Sequence, residues 1–322
     1  MTEGLDAALE RAAAAIAAAP EVALACHVTP DGDALGSMLA LHLALRAAGR
    51  RSVASFPEPF VVADHYRGLV GLDTLVEPAA FPTAPAVMVT FDAGSIDRLG
   101  GLADAAAAAT ELIVIDHHVS NTRFGTINVI DPQAAASGVV VRRLLAALDL
   151  PLDRAVATDL YAALICDTGR FQYESTTPEV FDLARELVAF GLDVPGLSRS
   201  LFEEHRFAYL RLMGEAVERM ALEPDRNLVW TVVTQDMLAR HGCTMDEAEG
   251  LIDIVRRTRE AGVACVLKED DDGSIKVSLR SVGAVDVCRI ATANGGGGHR
   301  FAAGVTSRDD LDTTISRIRA AL

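Results

Sequence analysis

Cys26-His27-Val28-Thr29-Pro30-Asp31-Gly32-Asp33-Ala34-Leu35-Gly36-Ser37 sets one imidazole and two carboxylates within seven residues, directly after an apolar run. Residues 22–26 read as a buried strand and 34–48 as a helix, so His27, Asp31 and Asp33 fall on the turn between them. Ligands gathered where a strand ends have a rigid support and stay open to solvent and substrate, as metal-assisted hydrolysis requires. The competing reading is an ordinary capped turn, with Asp31 or Asp33 as the helix cap and Gly32 supplying a positive φ. The turn alone does not separate the two readings.

Working outward, short apolar runs at 52–56, 86–91, 112–115 and 126–130 alternate with helical stretches. Such alternation predicts an α/β fold whose N-terminal part is a doubly wound, mostly parallel sheet, with ligands at the carboxyl ends of its strands. After Ser137 the pattern turns helical, at 138–148, 154–165 and 178–190. The breaker cluster Gly191-Leu192-Asp193-Val194-Pro195-Gly196 marks a domain boundary, and a long helix is expected over 197–222. Strands at 228–234, 263–268 and 275–279, an amphipathic run at 245–260 and the turn Asp271-Asp272-Gly273 predict a second, smaller α/β domain. The expected organisation is a metal-binding domain at 1–190, a linker and connecting helix at 191–222, and a substrate-binding domain at 223–322.

Composition narrows the function. The chain has 322 residues, half of them hydrophobic, enough for two cores. Its 45 acidic against 29 basic residues give a net charge of −16, which argues against tracking a long phosphate backbone with a basic face. A nucleic-acid substrate, if there is one, is expected to be short. The cysteines Cys26, Cys166, Cys243, Cys265 and Cys288 are scattered through apolar segments with no CxxC pair, and read as reduced core residues. Glu3, Asp6 and Glu10 precede an alanine-rich stretch, the opposite of a signal-peptide start, and no apolar run reaches spanning length. A cytoplasmic protein without membrane partners is expected.

Four further sites line up with the first. Asp92 follows the apolar run that ends at Phe91, Asp116-His117-His118 follows residues 112–115, and Asp167 stands in Leu164-Ile165-Cys166-Asp167-Thr168-Gly169. Gly295-Gly296-Gly297-Gly298-His299-Arg300 is a glycine-rich loop ending in two hydrogen-bonding or cationic groups. Each has a bland alternative: a cap for Asp92 or Asp116, surface histidines, a turn at Asp167, a flexible loop for the glycines. All of these would have to hold at once, so a shared site is the simpler account. Five carboxylates in one pocket repel unless cations lie among them. Two cations about 3.5–4 Å apart lower the pKa of a shared water and clamp phosphoryl oxygens during in-line attack.

The motifs taken in order resemble those of the DHH phosphoesterase superfamily, in its stand-alone form with a DHHA1 domain. That form includes oligoribonucleases, 3′,5′-bisphosphonucleotide phosphatases and cyclic dinucleotide phosphodiesterases. The residues that carry the resemblance are His27 to Ala34, Asp92 with Arg98-Leu99-Gly100, and Asp116-His117-His118 with Ser120-Asn121 and Phe124-Gly125. Asp167-Thr168-Gly169 with Thr176-Thr177-Pro178, and Val277-Ser278-Leu279-Arg280-Ser281 with the glycine loop, complete the set.

The resemblance implies that His27 and Asp31 bind one metal ion, Asp33 and His117 a second, that Asp92 bridges or neighbours both, and that Asp167 completes the site. Mn²⁺ is the expected ion, two per chain, with Mg²⁺ or Co²⁺ as substitutes. Asp116 would fix a ligating imidazole by hydrogen bond. His118 would face the substrate phosphate as general acid or transition-state stabiliser, so the catalytic set is His118, Asp116 and Asp33. Ser278, Arg280, Gly296, Gly297, Gly298, His299 and Arg300 would hold the substrate in a cleft between the domains. Asn121 and Tyr173 are weaker candidates for substrate contacts.

The expected activity is Mn²⁺-dependent cleavage of very short RNA to mononucleotides and dephosphorylation of adenosine 3′,5′-bisphosphate, with cyclic di-AMP as a further substrate. Relatives imply a homodimer. The rivals are a manganese inorganic pyrophosphatase, whose second domain uses lysine and arginine where this one has Ser-Leu-Arg and a glycine-histidine loop, and a nucleotide-sensing module without hydrolysis. A processive single-strand DNA exonuclease fits poorly with so acidic a chain.

Overall fold

In the computed structural model, which describes residues 4–322, the chain divides into two compact units, one running to Glu204 and the other comprising His205–Leu322. Glu3, counted above in the acidic N-terminal stretch, lies outside the described residues.

The first unit is built on α1 (Leu5–Ala18), β1 (Glu21–Cys26), α2 (Gly32–Ala47), β2 (Arg51–Ser55), β3 (Val87–Phe91), α3 (Ala103–Ala108), β4 (Glu111–Asp116) and β5 (Ile127–Ile130). Four helices follow: α4 (Ser137–Ala147), α5 (Arg154–Asp167), α6 (Pro178–Val188) and α7 (Val194–Phe202). The strands form one wholly parallel sheet in the order β2-β1-β3-β4-β5. Alternate residues of the strands feed two cores. Val22, Leu24, Val89 and Ile113 pack with α1, α2, α4 and α5, whereas Ala23, Ala25, Met88 and Val114 pack with Leu99, Leu102 and α3. Burial on both faces is why these strands read as continuous apolar runs. The winding reverses between β1 and β3, and the crevice at such a reversal is where parallel α/β sheets bind ligands.

Helix α2 is buried almost all round, between the sheet and α5. Glycines permit the close approach. A methyl group on Gly36 would lie 2.4 Å from the carbonyl oxygen of Asp159, and one on Gly32 would lie 2.2 Å from Cys166 Sγ. The capped-turn reading of Gly32 is thereby corrected: it adopts no positive φ and is small because α5 passes beside it. The cluster 191–196, read as a domain boundary, instead opens α7, capped by Asp193, inside the first unit.

The second unit contains α8 (Phe207–Glu218), β6 (Ala221–Glu223), β7 (Leu228–Val233), α9 (Gln235–His241), α10 (Leu251–Val255), β8 (Val263–Glu269) and β9 (Ile275–Ser281). It ends with α11 (Val287–Ala293), β10 (Gly297–His299), β11 (Ala302–Ser307) and α12 (Leu311–Ala320). Its mixed sheet runs β10-β11-β9-β8-β7-β6. Two expectations fail here. The helix expected over 197–222 is broken between Phe202 and Phe207, where the chain turns with Glu204 N–H on the Arg199 carbonyl. The run 245–260 holds only a 3₁₀ turn and the short α10, because its apolar residues close over β7 and β8 as a cap. Among the described residues, no helix is long and apolar enough to cross a membrane.

Candidate metal centre

Each expected ligand of the first unit stands where a regular element begins or ends. His27 follows β1. Asp31 caps α2, its Oδ1 accepting from the amides of Asp33 and Ala34, and Asp33 lies in the first turn. Asp92 follows β3 with φ 56°, Asp116 ends β4 ahead of His117 and His118, and Asp167 ends α5. Among the described residues seven non-glycine positions have positive φ, and Thr29, Asp92, Arg170 and Phe171 are four of them. Strain of this kind persists only where the surroundings over-determine it, and it collects at functional sites.

The side chains converge into two groups that share Asp92. His27 Nε2 lies 3.8 Å from Asp31 Oδ2 and 3.6 Å from Asp92 Oδ2. His117 Nε2 lies 3.1 Å from Asp167 Oδ2, 3.5 Å from Asp92 Oδ1 and 3.7 Å from Asp33 Oδ2. Asp92 Oδ2 thus faces His27, while Oδ1 faces His117 and also lies 3.5 Å from His118 Nδ1. In each of the sets His27, Asp31, Asp92 and Asp33, Asp92, His117, one ligand atom per residue lies within 4.8 Å of the others. Hard oxygen donors with one imidazole per set suit a divalent cation of the Mn²⁺ or Mg²⁺ kind.

Charge makes the same demand. Burial by itself would lower the His27 imidazole, but Asp31 and Asp92 outweigh it and raise the group to about 10. His117 and His118 are likewise raised against burial, by Asp167 and Asp92 in the first case and Asp116 and Asp92 in the second. Burial, then Asp92 and Asp167, push the Asp33 carboxyl well above its usual range. A pocket that pulls protons onto its bases this strongly is a pocket for cations.

A ring of hydrogen bonds fixes the donors. Asp33 accepts from Ser37 Oγ at 2.9 Å and, at the N-terminus of α4, from the amides of Ser137 at 2.6 Å and Gly138 at 3.0 Å. Ser137 Oγ donates to Asp92 Oδ1 at 3.0 Å. His117 Nδ1 meets the Ala134 carbonyl at 3.2 Å, a contact that fixes the ring with Nε2 directed at Asp33, Asp92 and Asp167. Asp116 acts elsewhere than expected. Its Oδ1 takes His118 Nδ1 at 2.7 Å, so it orients the imidazole read as substrate-facing rather than a ligating one. Asn121, a candidate substrate contact, instead holds Asp116 Oδ2 and the Ala93 carbonyl. The Tyr173 ring occupies the space that a side chain on Gly169 would need.

Several contributors have no mark in the sequence. Ser137 and Gly138 are single small residues at the start of an apolar helix, and Ser37 closes the opening stretch without a role legible there. Tyr66 lies in a 3₁₀ turn outside every motif, its ring against Gly32, and burial with neighbouring Cys166 and Asp31 pushes its phenol well above the ordinary value. A helix N-terminus aimed at a carboxylate is visible only after folding.

In the second unit the seven expected substrate residues gather on the sheet formed by β9, β10 and β11. His299 pairs with Ala302, which pairs with Arg280, and Gly297 pairs with Gly304, which pairs with Ser278. Directly paired residues share a face, so Gly297, Gly304, Ser278 and Ala302 floor a strip flanked by His299 and Arg280. The glycines divide by role. A side chain on Gly296 would meet the Gly304 carbonyl at 2.1 Å and one on Gly298 the Ala302 carbonyl at 2.5 Å, whereas Gly297 faces open space. Arg300 occupies the hairpin turn between β10 and β11, its guanidinium over the Phe301 ring.

With this geometry in hand, comparison with known proteins is specific. Residues 21–164 match the DHH family, N-terminal domain, and residues 227–322 match the DHHA1 domain. The chain is 33% identical over 303 residues to a Thermus thermophilus protein named bifunctional oligoribonuclease and PAP phosphatase NrnA, covering 93% of this chain and 88% of that one. A Bacillus subtilis protein of the same name is 26% identical over 298 residues, covering 90% and 91%. A cyclic-di-AMP phosphodiesterase, GdpP of Geobacillus thermodenitrificans, is 25% identical over 319 residues, covering 88% of this chain and 44% of that one. The crystal structure of an exopolyphosphatase-related protein from Bacteroides fragilis superposes with a TM-score of 0.87 at 25% identity, covering 98% and 95%. The clustered aspartates and histidines at the strand ends, the glycine loop of the second sheet and the match over nearly the whole length agree: the chain belongs to the DHH family, in its form with a C-terminal DHHA1 domain.

Proposed function

We propose that this protein is a Mn²⁺-dependent phosphohydrolase that cleaves very short RNA to mononucleotides, removes a phosphate from adenosine 3′,5′-bisphosphate and hydrolyses cyclic di-AMP. Its class, hydrolysis of phosphate esters, is that of its curated relatives. The observation that carries the reading is Asp92, with one carboxylate oxygen turned to each of two histidine-carboxylate groups.

His27, Asp31 and Asp92 would hold one cation, and Asp33, Asp92, His117 and Asp167 the other. When bound, the pair polarises the phosphoryl oxygens and activates water for in-line attack. The chain's own residues supply position and protons. Ser37, Ser137 and Gly138 hold Asp33 so that its charge points inward. Asp116 keeps a proton on His118 Nδ1, and the imidazolium donates from Nε2 to the departing oxygen. Gly297 lets a nucleotide approach the backbone of the second sheet, where Ser278, Arg280 and His299 add hydrogen bonds and positive charge. Arg300 extends that charge at the hairpin.

The test is direct. Purified protein with Mn²⁺ is given a two-nucleotide RNA, adenosine 3′,5′-bisphosphate, cyclic di-AMP and, as the rival substrate, pyrophosphate. Release of mononucleotide or phosphate from the first three is expected. Turnover of none of them would sink the proposal, and turnover of pyrophosphate alone would replace it with the pyrophosphatase reading.

A further inference from the structure

Asp167 is held differently from the other carboxylates expected to ligate. Asp31 accepts from two amides, Asp33 from Ser37 Oγ and the amides of Ser137 and Gly138, and Asp92 from Ser137 Oγ. Among the described residues no amide or hydroxyl donates to the Asp167 carboxylate, whose contact is with His117 Nε2. Asp167 is also the last residue of α5, and helix ends fray unless something fixes them. Its position has to come from the backbone that follows.

That backbone is strained. Gly169, Arg170 and Phe171 are three successive left-handed residues, with φ of 54°, 60° and 63°, and two of them bear side chains. Thr168, wholly buried, closes the turn. Its Oγ1 donates to the Leu164 carbonyl at 2.6 Å and accepts the Phe171 N–H at 3.2 Å, while its own carbonyl accepts the amides of Gln172 at 2.9 Å and Tyr173 at 3.0 Å. The turn's side chains are then anchored on two further helices. The Phe171 ring stacks on Phe181 of α6 with centroids 5.4 Å apart, and the Arg170 guanidinium lies 5.0 Å from the centre of the Phe202 ring of α7. Three helices are thus joined beside Asp167, and the Thr168 hydroxyl links the turn to the last turn of α5.

We propose that Thr168 is the positioning residue for Asp167: its hydroxyl locks the left-handed turn, and the turn sets the carboxylate opposite His117 for the cation shared with Asp33 and Asp92. The inference rests on the metal-dependent phosphohydrolase reading but is tested by metal binding without substrate. Mn²⁺ titration followed by paramagnetic resonance compares wild type with Thr168→Val, which keeps the shape and loses the hydroxyl, Thr168→Ser, which keeps the hydroxyl, and Asp167→Asn. Melting of each variant in EDTA reports folding separately. In Thr168→Val the weaker of two Mn²⁺ affinities is expected to fall at least about tenfold, as in Asp167→Asn, and the signal of two coupled ions to give way to that of one, while Thr168→Ser stays within about twofold of wild type. Mn²⁺ binding by Thr168→Val equal to wild type overturns the proposal. So does Thr168→Ser binding as poorly as Thr168→Val, which would make the methyl group rather than the hydroxyl the support, and so does a wild type that binds no Mn²⁺. If Thr168→Val is unfolded in EDTA, Gly169→Ala decides: its methyl group would lie 2.2 Å from Tyr173 Cζ and displace the same turn with Thr168 intact, so wild-type Mn²⁺ affinity there overturns the proposal and a tenfold loss supports it. A wild type that binds two Mn²⁺ ions through this turn but hydrolyses none of the nucleotide substrates would leave the positioning role standing and count against the phosphohydrolase reading.

Discussion

Asp33 does two things at once. It faces His117 inside the centre, and it accepts two buried amides at the start of α4 together with Ser37 Oγ. Asp33→Ala should therefore lower kcat/KM by at least about 10²-fold and also cost about 1–3 kcal/mol of stability, since those amides lose their acceptor. Asp167 separates the two effects. Its side chain is 23% exposed and its contact is with His117, so Asp167→Asn should lose comparable activity with little change in the denaturant midpoint. Turnover left intact in both variants would remove these residues from the centre. At this scale the sequence was informative where the chemistry is written in consecutive residues. His27, Asp31, Asp33 and Asp116-His117-His118 declared themselves by spacing. Arg98 stood in a motif without a role, and Tyr66 and Ser137 gave no signal, because a hydroxyl or a ring acquires its partner only across the fold.

The strands of the first unit were legible because burial on both faces makes them unbroken apolar runs between turns. The strands flanking the glycine loop were not. Gly297–His299 has almost no β-propensity, and it is extended because β11 offers a backbone ladder that side chains would block. That division gives a prediction for three neighbouring glycines. Gly296→Ala and Gly298→Ala should lower the melting temperature, each by the equivalent of about 1–3 kcal/mol, because a methyl group meets β11 backbone. Gly297→Ala should melt like wild type and weaken nucleotide binding. Equal melting of all three would mean the loop is not packed as described. The helix expected over 197–222 failed for the converse reason: Phe202 to Phe207 holds no glycine or proline to announce a break.

For the molecule as a whole, the buried carboxylates predict that the first unit is completed by its cations. A ligand that binds only the folded state at a hundred times its dissociation constant adds about 2.7 kcal/mol. Mn²⁺ should accordingly raise the melting temperature, and chelation with EDTA should lower it by roughly 5–10 °C, reversibly on adding Mn²⁺ back. A melting curve indifferent to both would take metal out of the account. The charge balance belongs to this scale too, since −16 leaves little scope for a long polyanion and makes local cations such as Arg280 and Arg300 matter more.

The sequence by itself determined the α/β class, the family resemblance and most of the ionisable residues of the centre, because apolar periodicity and local spacing are properties of neighbours along the chain. The tertiary structure decided which of them face one another. That Asp92 turns one oxygen to His27 and the other to His117 and His118, that Asp116 serves His118, that α4 holds Asp33 and that Arg98 reaches His27 follow from the order in which parallel strands lie side by side. Distant segments become neighbours at their carboxyl ends only when the sheet has formed, and no spacing along the chain records that order.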